Sequence, residues 1–104
     1  MKEEQELYIE IGQKLIDAEQ SQMFGKPCFK VNGKAFCSFF EEEMVFKLEG
    51  KSHEEALTLK GARLFDPSGK KRPMKEWVQV PFSNKLKWPT LAEAALLYVK
   101  SSQK

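Results

Sequence analysis

The dipeptide Asn32-Gly33 limits the folds open to this chain more than any other pair of residues. It separates two β-rich runs, Cys28 to Asn32 and Lys34 to Phe40. Asn-Gly in that setting is the strongest short-range hairpin signal, because a type I′ turn needs positive φ at both central residues. With these two at the centre of the turn, Val31 faces Lys34, Lys30 faces Ala35, Phe29 faces Phe36 and Cys28 faces Cys37. Strand alternation then sorts the faces. Phe29, Val31, Phe36, Ser38 and Phe40 share one face. Cys28, Lys30, Asn32, Ala35, Cys37 and Phe39 share the other. The first face is more apolar and is expected to meet helices, which leaves the cysteines on a partly exposed face.

The rest of the chain supplies those helices. Residues 3–19 carry Leu7, Ile11, Leu15 and Ala18 at helical spacing, with Tyr8 on the flank and a second stripe at Ile9 and Ile16. Met23 to Pro27 reads as a loop, punctuated by Gly25 and Pro27. Glu41-Glu42-Glu43 forms an acidic turn, and Met44 to Leu48 a third strand. Ser52 and Glu55 make a capping-box pattern for a helix over 53–60, ended by Gly61. A strand at Arg63–Phe65 leads into a turn at Asp66-Pro67-Ser68-Gly69. After a basic loop, the strand Glu76–Pro81 has Trp77 and Gln79 on one face and Val78 and Val80 on the other. Thr90 and Glu93 cap a last helix over 90–101, whose apolar face holds Leu91, Ala92, Ala95, Leu96, Tyr98 and Val99. The expected order is α-β-β-β-α-β-β-α, an α+β two-layer sandwich with an antiparallel sheet of about five strands and helices on one face.

At 104 residues the chain is sized for one domain, 1–104, with no linker or repeat. A hydrophobic fraction of 41% with eight Phe argues for a packed core. No apolar run reaches the ~18 residues of a membrane span, and the acidic N-terminus lacks a secretory h-region. A cytoplasmic protein without membrane contact is the expectation.

Charge is unevenly spread. Residues 1–59 carry 7 basic and 12 acidic side chains, and residues 60–87 carry 8 and 2. Lys70, Lys71, Arg72 and Lys75 fall in one loop and Lys85 and Lys87 in the next, near Trp77 and Trp88. Basic loops beside aromatics are a candidate nucleic-acid surface, holding phosphates and stacking bases. Cys28 and Cys37, if cross-strand neighbours at a non-hydrogen-bonded pair, are a candidate redox pair. Otherwise they are small buried thiols. Two cysteines and the distant His53 do not make a four-ligand zinc site. His53 is read as a surface residue without the positioned partner that catalysis requires. The glutamate turn lacks calcium-loop spacing, and the isolated glycines form no phosphate loop. No catalytic residue, cofactor or small-molecule substrate is indicated.

Three stretches carry a family resemblance. Met23-Phe24-Gly25, then Phe29 to Phe36 through Asn32-Gly33, then Met44-Val45-Phe46-Lys47-Leu48, resemble the N-terminal domain of the TfoX/Sxy family. Arg63 to Pro67, Lys75 to Pro81 and the last helix are similar to that domain and to the related MmcQ/YjbR-like domains. The resemblance spans about residues 7–100. It implies a small α+β domain from a bacterial group that includes competence regulators, some relatives of which are suggested to bind DNA. The C-terminal helical domain of such regulators has no counterpart among these 104 residues. The combined expectation is a non-enzymatic binding domain that acts through protein interaction or self-association. DNA binding through the basic loops, or a thiol switch, is the alternative.

Overall fold

A computed structural model describes residues 3–23, 25–66 and 74–101, apart from the side chain of Met23. The elements are α1 (Glu3–Lys14), β1 (Glu19–Met23), β2 (Lys26–Val31), β3 (Lys34–Phe40), β4 (Glu43–Lys47), α2 (Gly50–Leu57), β5 (Arg63–Phe65), β6 (Met74–Val80), a 3₁₀ turn (Phe82–Lys87) and α3 (Trp88–Ser101). The six strands form one antiparallel sheet in the order β1-β2-β3-β4-β6-β5. The α+β class and the packing of helices on the sheet are as the sequence implied. The strand order gains a member at its N-terminal edge.

That extra strand, β1, replaces the end of the expected first helix and part of the expected loop. α1 stops at Lys14, and Asp17 takes a φ of 70° that no helix continues through. The chain then pairs Glu19–Met23 along β2. β1 reads Glu-Gln-Ser-Gln-Met, without the apolar alternation that marks a half-buried strand. Its backbone ladder to β2, rather than side-chain burial, defines it. The early stop also splits the second stripe of α1. Ile9 packs against the core, whereas Ile16 lies beyond the helix and is 80% exposed.

The turn at Asn32 and Gly33 has φ of 51° and 82°, as a type I′ hairpin requires. The register beyond it differs from the simple ladder. Val31 faces Lys34 and Lys30 faces Ala35, but Phe29 then faces Cys37 and Cys28 faces Ser38. Phe36 is the extra residue of a β-bulge. One inserted residue exchanges the faces of everything beyond it. Cys37 and Phe39 therefore join the helix side, and Phe40 moves to the opposite face. The bulge follows from packing, since it lets Phe36 and Cys37 both contribute to the main core.

The main core lies between the sheet and all three helices. Tyr8 and Ile11 of α1, Ala56 of α2, and Leu91, Ala92, Ala95, Leu96 and Val99 of α3 meet Phe29, Val31, Met44, Phe46, Val78 and Val80. The far sheet face has its own small cluster of Val45, Phe65 and Trp77, edged by Phe40, Ala35 and Met74. Trp77 on one face of β6 and Val78 and Val80 on the other match the alternation expected.

α2 begins at Gly50, ahead of the expected Ser52 cap, and ends at Leu57. Glu49 precedes it without a side-chain cap bond, and Thr58 closes it by donating its hydroxyl to the Glu55 carbonyl at 2.6 Å. Gly61, with φ of 82°, serves the following turn rather than the helix end. α3 starts two residues before the expected Thr90, at Trp88, and Pro89 suits its first turn.

Candidate functional site

The two cysteines lie buried on β2 and β3 as free thiols. They are not register partners, because Cys28 faces Ser38 and Cys37 faces Phe29. Cys37 belongs to the helix-side core. Cys28, next to the helix-side Phe29, points to the other face by alternation. The expected cross-strand contact on a partly exposed face is thus corrected by the bulge. Ser38, also buried, donates its hydroxyl to the Pro27 carbonyl at 2.7 Å.

Burial raises the pKa of both thiols. A contribution from Lys30 opposes it at Cys28, and a Phe29 backbone contact opposes it at Cys37. Tyr8 is raised more strongly, chiefly by burial and secondarily by both sulfurs. These groups stay protonated in the fold while the unfolded chain ionises, near pH 8.5 for thiols and near 10 for tyrosine. Their contribution is fully present below about pH 8.5. Above it the unfolded state binds fewer protons than the native state, so stability falls as pH rises. Urea unfolding at pH 7, 9 and 10 should show that decline. Cys37 alone accounts for roughly 2 kcal/mol by pH 10, and Cys37→Ala should flatten the slope.

The Tyr8 hydroxyl is buried with no hydrogen-bond partner among the described residues, while its ring stacks on Phe39 and tilts against Phe29, each at 5.2 Å. A buried hydroxyl without a partner carries a desolvation cost of about 1–3 kcal/mol. Tyr8→Phe keeps both ring contacts and should stabilise the fold by about 1 kcal/mol, read as a higher urea midpoint at unchanged slope.

Of the expected basic surface, only Lys75, Lys85 and Lys87 fall among the described residues, and they lie apart along the chain. Lys75 stands at the start of β6, whereas Lys85 and Lys87 follow its far end in the 3₁₀ turn. The five strand residues after Lys75, 76–80, span roughly 17 Å. Lys85 lies over the Phe82 ring at 5.0 Å. Lys87 borders a hollow with Glu55. Lys70, Lys71 and Arg72 lie outside the described residues. Trp77 and Trp88 are buried, so neither face is open for a base to stack on. His53 joins α2 to β6 by donating its Nε2–H to the Lys75 carbonyl at 2.7 Å. Glu43 accepts from Gln79 at 2.7 Å and from Arg63 at 3.2 Å.

The helical layer holds features the sequence reading passed over. Leu86 in the 3₁₀ turn is 87% exposed and Leu97 of α3 is 57% exposed. Each lines a surface hollow. Leu86, with Leu7, Phe82 and Pro89, lines one of about 430 Å³ between α1 and the 3₁₀ turn, where Glu3, Glu6, Glu10 and Lys85 also stand. Leu97, with Ala94 and Tyr98, lines one of about 460 Å³ beside Glu49 and Ser52 at the start of α2. Tyr98 donates its hydroxyl to Glu76 Oε1 at 2.5 Å, which pushes its pKa up to about 12. Both hollows reach the volume of ordinary binding clefts. A signal for Leu97 was present, since it falls outside the spacing of the apolar face of α3. Leu86 offered only its isolation between two lysines.

Compared with protein-family models, curated proteins and solved structures, the chain finds no match. Among the described residues no helix is long and apolar enough to cross a membrane, and no cluster of three metal-ligating side chains occurs.

Proposed function

We propose that this protein is a small, non-enzymatic binding module of the bacterial cytoplasm that docks another protein on its helical layer. The observation that carries the reading is the exposure of Leu86 and Leu97, each lining its own hollow; Ile16 is comparably exposed but lines neither of these hollows. Single exposed leucines are ordinary on a surface. A protruding leucine beside an apolar-lined hollow offers apolar area that a partner can bury. The resemblance to the TfoX/Sxy N-terminal domain belongs to the same proposal, as a lineage whose motifs supply no catalytic residue. Nucleic-acid binding has less support, given the buried tryptophans, which leave no open ring face for a base.

The test is retention of the protein on an array of short peptides of varied composition. The wild type should be retained on a subset, and the double variant L86D/L97D should lose it by at least about tenfold. Retention that the double variant leaves intact, or retention on immobilised DNA alone, overturns the reading.

A further inference from the structure

We propose that the hollow between α1 and the 3₁₀ turn is a groove for a cationic amphipathic helix of a partner protein. The inference rests on the reading of the chain as a binding module and names the chemistry of its partner. Glu3, Glu6 and Glu10 occupy positions i, i+3 and i+7 of α1, so one helix face presents all three to the hollow. They span about 10 Å along the helix axis. Lys85 is the cation lining the hollow, and it is engaged over the Phe82 ring.

Glu3 and Glu6, with Glu4 in the same first turn, also suit the α1 dipole. Glu10 lies beyond that turn, and its pair with Lys14 at 3.0 Å is exposed at both ends, hence weak and exchangeable. Three carboxylates lining the hollow repel acidic peptides and nucleic acid, and the exposed Leu86 beside them offers apolar area. They match a helix that places leucine against Leu86 and cations one and two turns apart along the glutamates. This is the helix-in-groove mode of recognition, read at i, i+3 or i+4, and i+7.

The probes are three dye-labelled peptides of about 14 residues with leucine at amphipathic helical spacing. Their polar face is lysine in the first, glutamine in the second and glutamate in the third. Fluorescence anisotropy with the full chain gives the affinities. The lysine peptide should bind at least about tenfold more tightly than the glutamine peptide at low salt, and that advantage should shrink as salt rises. L86D should weaken it by about tenfold or more, whereas I16D, at an exposed residue that does not line this hollow, should leave it unchanged. The triple variant E3Q/E6Q/E10Q removes charge without removing the helix, and should erase the lysine advantage. Circular dichroism confirms that each variant is folded.

Equal binding of lysine and glutamine peptides, an unchanged triple variant, or no binding of any peptide overturns the inference. If the glutamine or glutamate peptide binds as tightly as the lysine peptide, and in an L86D-sensitive way, the binding-module reading stands and this partner chemistry falls. If light scattering finds a dimer that L86D dissociates, the groove is occupied by a second copy, and the inference is again overturned.

Discussion

Replacing Gly12 by alanine should destabilise the fold by roughly 2 kcal/mol, and replacement by valine by more, although alanine is the better helix former. Gly12 lies buried in α1 against β2. A Cβ built there would overlap the edge of the Phe29 ring, at Cδ2, Cε2 and Cζ. Phe29 has little room to withdraw, since it is buried and its ring meets Tyr8 at 5.2 Å. Alanine gains up to about 1 kcal/mol of helix propensity. Overpacking of a full core typically costs about 1–3 kcal/mol, and here the ring itself must move. The clash therefore wins. Urea unfolding of G12A and G12V measures it. A G12A midpoint at or above the wild type would mean that α1 does not approach the sheet this closely.

Trp88→Ala should cost about 3–5 kcal/mol, a large share of the ~5–15 kcal/mol that holds a domain together. Trp88 is fully buried at the junction of the 3₁₀ turn and α3, and its ring meets Phe82 edge-on at 5.4 Å. Removing it leaves a cavity under the segment that presents Leu86. Its indole N–H has no hydrogen-bond partner among the described residues. Trp88→Phe should therefore lose much less than Trp88→Ala, since it restores most of the volume and removes an unsatisfied donor. Equal losses for the two variants would contradict this placement. A loss of peptide binding in W88F, measured where the variant is still folded, would show that the 3₁₀ turn depends on the indole for its position.

Local signals in the sequence were reliable where a feature depends on few residues. The Asn32-Gly33 turn needs positive φ at two adjacent positions, and the residue types announce that directly. The apolar face of α3 and the alternation of Trp77 to Val80 follow from periodicity alone. The bulge at Phe36 depends on how the finished core accepts both Phe36 and Cys37, and no property of the hairpin sequence encodes it. β1 escaped for a related reason, as a polar edge strand held by backbone pairing. The turn between β3 and β4 is instructive too. Glu41 and Glu42 take φ of 51° and 65°, a conformation their side chains do not advertise. The surface hollows required the tertiary fold. Leu86 and the glutamates of α1 lie more than seventy residues apart in sequence and meet at one groove.

The central claim is that this domain acts through its helical layer. Amide chemical-shift mapping tests it most directly, with isotope-labelled protein and a peptide that the array retains. The account predicts perturbations concentrated on residues 3–10 of α1 and on the segment from Phe82 to Leu97. Perturbations confined to the far sheet face, around Lys26, Phe40 and Arg63, would contradict it.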